Sequence, residues 1–153
     1  FLYSLLGFDF KYRYLAGSRI EKMACNAVIE IMEFYRSTYR KALAASKRFS
    51  PPKLIREVAK NASRVISLGH QTGEGWFLTG EMVELIESGV NNIVCMQPFA
   101  CLPNHVVGKG MLRGLKKVYP HSNIIPIDYD PGASEVNQLN RIKLMLSAAF
   151  AES

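Results

Sequence analysis

The residues best suited to chemistry in this 153-residue chain fall in three short stretches. One is QPFACLPNH, residues 97–105, where Cys101 stands between small and apolar neighbours, two residues before Pro103. A thiol placed just ahead of a helix has free amides and a positive dipole end nearby, which favours thiolate, the form that binds metal or attacks carbon. Free cysteine is also among the most commonly buried side chains. Core thiol and reactive thiol therefore both remain open on the residues alone. Gln97 and His105 add polar groups to the same stretch.

The second stretch is GHQTGEGWFLTG, residues 69–80. Its glycines allow positive φ and close backbone approach, which suits a cradle for an anion or cofactor and equally suits a plain turn. Gly73 and Gly75 flank Glu74, a carboxylate with no helix face to solvate and so a candidate catalytic group. His70 offers a ligand, a base or a structural hydrogen bond. The spacing is neither GxGxxG nor a Walker motif. The third stretch, DYDPGAS, holds Asp128, while Asp130-Pro131-Gly132 is ordinary turn chemistry. Arg141 follows within the next helix, where it could meet a phosphate or lie on the surface. No Ser-His-Asp order, HExxH or DxDxD array occurs.

Hydrophobic periodicity supplies the elements that must position these residues. Ile20, Met23, Ala24, Ala27, Ile31, Phe34, Tyr35 and Ala42 recur at helical spacing, predicting a long amphipathic helix over 18–47 with that stripe facing a core. FSPP ends it, and a short helix follows to about residue 62. The opening FLYSLLGF reads as a strand or an exposed cut edge. From residue 64 the pattern becomes strand then helix: RVISL (64–68), a helix over 81–88 capped by Thr79 or Gly80, NIVCMQ (92–97), a helix over 104–119, NIIPID (123–128), and a helix over 134–150. Apolar strands alternating with helices predict a single α/β domain, a three-layer flavodoxin-like or Rossmann-like parallel sheet behind a basic helical lead-in over 1–63. Right-handed crossovers would gather the three stretches at the carboxyl edge of the strands, where such sheets bind ligands.

The formal net charge of +6 is uneven: residues 1–64 carry +8 and the remainder −2. The basic segment suits an anionic partner or a solvated face. No aromatic-studded nucleic-acid motif accompanies it, which argues against a nucleic-acid partner. No apolar run approaches the ~20 residues of a membrane helix, which argues against a membrane-spanning one. Cys25, Cys95 and Cys101 form no CxxC pair, an odd and sparse set that fits a reducing cytoplasm. The chain begins Phe1-Leu2-Tyr3 and reads as a piece of a longer protein.

The run GEGWFLTGEMVELIESGVNNIVCMQPFACLPNHVVGKGMLRGL, followed by NIIPIDYDPGASEVNQLNRIKLML, is distinctive. It resembles the C-terminal region of fused CoA-substrate-specific enzyme activases, whose ATPase modules are joined to a region similar to 2-hydroxyacyl-CoA dehydratase subunits. The resemblance implies a dehydratase-like half that contributes Cys101 to a [4Fe-4S] cluster, passing one electron at low potential to an acyl-CoA substrate. Gln97, His105 and Glu74 would face that substrate or the cluster's ligands. One thiolate cannot hold a cubane alone, so the cluster is expected in the intact protein and not on this chain by itself. ATP would act only through domains of the same polypeptide that lie outside this sequence. Two rival readings are a metal-free module whose Gly73, Gly75 and Arg141 hold a CoA or nucleotide phosphate, and a structural docking domain.

Overall fold

The computed structural model describes residues 1–151. The chain divides into two compact units, one of residues Phe1–Lys60 and one from Asn61 onward.

In the first unit, α1 (Leu2–Tyr14) packs on α2 (Arg19–Ala44). The opening residues therefore form a helix, where a strand or an exposed cut edge was expected. Ser18 caps α2 by accepting from Glu21 N–H at 3.5 Å. Asp9 joins the two helices, pairing with Arg13 at 2.8 Å and Lys22 at 2.9 Å. The buried face of α2 centres on Ile29 and includes Glu33, which accepts from Arg36 at 2.8 Å and from Ile55 N–H at 3.1 Å. That face is opposite to the expected one. Ile20, Phe34 and Tyr35 of the apolar stripe are 79%, 73% and 70% exposed. Periodicity finds an apolar face but does not say what covers it.

The expected three-layer flavodoxin-like sheet is not formed. The chain is mostly helical, and its only sheet among the described residues is a parallel pair, β1 (Asn92–Pro98) and β2 (Asn123–Tyr129), in register from Asn92↔Asn123 to Pro98↔Tyr129. RVISL does not become a strand. It follows α3 (Ile55–Ala62), and Val65 and Ile66 N–H both donate to Ala62 O at 2.9 Å. The open carbonyls at the helix end capture these amides, so the segment coils into turns.

α4 (Trp76–Glu87) starts earlier than expected, with Gly75 at the N-cap position, and buries Trp76, Thr79, Met82 and Val83 along one face. It ends in a Schellman cap: Val90 N–H reaches Leu85 O at 2.9 Å and Gly89 N–H reaches Ile86 O at 3.0 Å. The helix expected over 104–119 is broken into a π-turn (Asn104–Gly108), a 3₁₀ turn (Lys109–Met111) and α5 (Leu112–Val118). The break has a packing cause. A Cβ at Gly108 would stand 3.1 Å from Cys95 Sγ and 3.2 Å from Leu78 Cδ2, so this turn lies flat on β1 and α4. α6 (Glu135–Ala151) runs along β2. Met82 and Val83 of α4, Ile93 and Cys95 of β1 and Leu115 of α5 form the core of this unit, with Val65, Ile86 and Ile124 packed against them. Burying a side chain such as Val83 or Leu115 stabilises by about 1.5–3 kcal/mol.

Candidate functional site

The parallel register places Gln97 beside Asp128 and Pro98 beside Tyr129, so the stretches after both strands leave from one edge. Two of the three expected stretches meet there in a cleft of about 190 Å³. His70, Gln71 and Thr72 supply a polar wall, and Leu102, Pro103 and Val106 an apolar one. The glycine-rich stretch arrives from the turns after α3 and not from a strand.

Gly73 and Gly75 do adopt positive φ, 60° and 49°. At Gly73 the reason is packing, because a Cβ there would overlap Pro103 Cγ. The loop also satisfies the amides that a bound anion would need. Gly75 N–H donates to Thr72 O at 3.0 Å, Trp76 N–H to His70 O at 2.8 Å and Phe77 N–H to Glu74 O at 3.1 Å. With these donors taken by the loop, the start of α4 offers little to a phosphate. Glu74 is exposed beside the cleft and does not line it. Its charge, after burial and the charge of Glu84, helps push the Glu81 carboxyl above its ordinary pKa.

Cys101 is half-buried at the end of a tight turn. Ala100 sits at φ 53°, a left-handed conformation unusual for alanine. That turn lets Cys101 N–H reach Pro98 O at 3.1 Å, while His105 N–H donates to Cys101 O at 3.2 Å. Its neighbours Leu102 and Pro103 line the cleft. His105 lies half-buried in the π-turn, away from the cleft wall. Cys95 differs in every respect. It is buried, and burial raises its thiol pKa, opposed in part by a hydrogen bond from Gln97.

Gln97 is turned into the protein and fully buried, donating Nε2 to Cys95 Sγ at 3.1 Å and to Cys95 O at 3.4 Å. Its Oε1 has no hydrogen-bond partner among the described residues. Asp128 is held by Lys109 Nζ, 3.3 Å from each carboxylate oxygen, and its carbonyl accepts from Gln138 at 2.8 Å. Arg141 donates to Pro126 O at 2.8 Å, which fixes α6 to β2. Arg141 and Asp128 are thus engaged with the chain's own groups.

Two arrangements have no signal in the sequence. Thr79, expected as a cap, instead donates from Oγ1 to Val107 O at 2.5 Å inside the protein, tying α4 to the π-turn. At the other end of the strands, Glu87 accepts from Arg64 at 2.6 Å, Asn61 at 2.9 Å and Tyr119 at 3.0 Å. Hydrogen bonding to Tyr119 and the charge of Glu87 raise the pKa of Arg64. Partners that lie 23 to 32 residues apart leave no local pattern to read.

No group of three or more metal-ligating side chains gathers among the described residues. No described helix is long and apolar enough to cross a membrane. No family model, curated protein or solved structure matches this chain.

Proposed function

We propose that this chain supplies one thiolate, Cys101, to an iron–sulfur centre whose other ligands come from other polypeptide segments, within a dehydratase-like system that acts on acyl-CoA. The observation carrying this reading is the contrast between the two cysteines of the second unit. Cys95 is a buried core thiol, while Cys101 is partly exposed at the carboxyl edge of the strands, held there by the left-handed turn at Ala100. Strained backbone of this kind persists where its surroundings fix it, and it clusters at functional sites. Residues 102–108 turn helically straight after the thiol.

The residues present fit one ligand position, and that is the limit of what they supply. The centre, when bound, would take up and release one electron. The chain's own part is to fix the backbone of Cys101, whose N–H donates to Pro98 O and whose carbonyl accepts from His105 N–H. The adjoining cleft sets His70, Gln71 and Thr72 across from Leu102 and Val106, a polar and an apolar wall suited to a thioester head and its acyl chain. Three free cysteines support a reducing, cytoplasmic setting.

Anaerobic reconstitution tests this. The chain is loaded with iron and sulfide in the presence of a small thiol that can fill the open ligand positions. Cys101→Ser should lower bound iron and the visible absorption, while Cys25→Ser should not. Equal iron in wild type and Cys101→Ser would sink the proposal.

A second reading, a docking domain, is favoured by the exposed stripe of Ile20, Phe34 and Tyr35 on α2. Phe34→Ser should then leave helicity unchanged and weaken association with the ATPase-bearing part of the same system. Unchanged association would remove that reading. The phosphate-binding alternative gains nothing from Arg141, whose guanidinium donates to Pro126 O, or from the occupied amides of α4.

A further inference from the structure

The two strands have unlike outer edges. Asn123 N–H donates to Asn91 O at 2.8 Å, so the peptide groups of Asn123 point toward β1. Those groups alternate sides along a strand, so Pro126 and Asp128 point away from it. This outer edge of β2 is closed. Pro126 has no N–H to offer, its carbonyl accepts from Arg141, and the Asp128 carbonyl accepts from Gln138.

The same alternation makes Asn92, Val94 and Met96 point outward on β1. None of their backbone groups takes part in a loop, turn or side-chain hydrogen bond among the described residues. Their side chains are exposed too: Val94 and Met96 lie on the face opposite Ile93 and Cys95. Natural edge strands are guarded by charge, proline or a bulge. β1 reads NIVCMQP, with no charged residue and proline only at its end.

We propose that the outer edge of β1 joins two copies of this chain, each adding its β1 antiparallel to the other about a twofold axis through Val94, in the order β2–β1–β1–β2. The edge is complementary to itself. Outward groups must face outward groups, and that register sets Val94 against its own symmetry mate and Asn92 against the partner's Met96. A twofold axis makes every bond occur twice, as an isologous interface requires. An edge without charge brings no like charges together and gives no charged partner a reason to be chosen over a second copy. Ile93 and Cys95 of the two copies then adjoin on the core side, and Val94 and Met96 on the other. The two Cys101 residues fall at opposite ends of the joined sheet, so the pairing does not complete the proposed iron–sulfur centre and stands independently of it.

Sedimentation velocity on the full chain at micromolar concentrations should show a dimer. Val94→Lys, at a side chain 38% exposed, sets like charges across the axis and should raise the dissociation constant roughly tenfold or more. Mixing the Val94→Lys chain with a Val94→Glu chain should restore the dimer, because opposite charges then face each other. A monomer at all concentrations, or a dimer indifferent to Val94→Lys, overturns the proposal. Should the Val94→Lys chain lose its circular dichroism, amide hydrogen exchange on the wild type decides. The amides of Asn92, Val94 and Met96 must slow as protein concentration rises, and exchange that stays constant overturns the pairing.

Discussion

Replacing Gly73 by alanine probes how the cleft is built, and the cost can be worked from two separable causes. The first is conformational: φ at Gly73 is 60°, and an L-residue in that region costs about 1–2 kcal/mol. The second is steric. The added Cβ would overlap Cγ of Pro103, a ring atom that cannot swing aside, and overpacking of this kind costs about 1–3 kcal/mol. Gly73→Ala should therefore destabilise by about 2–5 kcal/mol, the sum of the two. In a Pro103→Ala background the ring is gone and only the conformational part remains. The coupling between the two substitutions should then be about 1–3 kcal/mol. Guanidinium denaturation followed by tryptophan fluorescence reads this directly, since Trp76 is the only tryptophan, is buried, and follows the loop in sequence. Additivity within about 0.5 kcal/mol would show that the loop does not rest on Pro103, and the account of the cleft would fail.

Four further outcomes can be checked. Thr79→Val keeps the shape but leaves the buried Val107 carbonyl without its donor, so unfolding should ease by about 1–3 kcal/mol, and a negligible change in denaturation midpoint would refute the tie. Thiol labelling under native conditions should modify Cys101 well before Cys95. Because burial raises the Cys95 pKa, the unfolded chain ionises first and stability should fall as pH rises past about 8.5, a loss absent from Cys95→Ala. Glu81 has its pKa raised mainly by burial, then by Glu84 and Glu74, so the folded form favours the proton and its penalty grows as pH rises through about 4.3. Glu81→Gln should raise the thermal midpoint at neutral pH and leave it unchanged at pH values well below that; the reverse pattern would contradict the assignment.

The parts legible in the sequence were those where composition and local chemistry agree. NIVCMQ and NIIPID are continuous apolar runs bounded by turn residues, and both became strands within a residue of the expected bounds. The last helix, expected over 134–150, forms as α6 (Glu135–Ala151). RVISL carried the same composition, yet the open carbonyls of α3 lay immediately upstream and took its amides. Five residues without a neighbour strand, only three of them apolar, had nothing to hold them extended. At the site, the glycine-rich stretch does meet the residues after β1, but the strand expected to bring it there does not form, and the turns after α3 deliver it instead. The orientation of Gln97 was not legible. Nothing local distinguishes a glutamine facing a ligand from one folded back on the thiol two residues before it.

The constant offset between β1 and β2, from Asn92↔Asn123 to Pro98↔Tyr129, bears on the order of folding. Every rung of the ladder closes a loop of the same length, 31 residues, and that loop contains α5. The chain entropy of closure is lost once, at the first rung, and later rungs add bonds at little further cost. Contacts inside this loop, such as Ile93 with Leu115, therefore belong early in folding, while α6, held by Arg141 and Gln138, can dock on a pair already formed. Truncating Leu115 should then slow folding, whereas truncating Arg141 should chiefly speed unfolding.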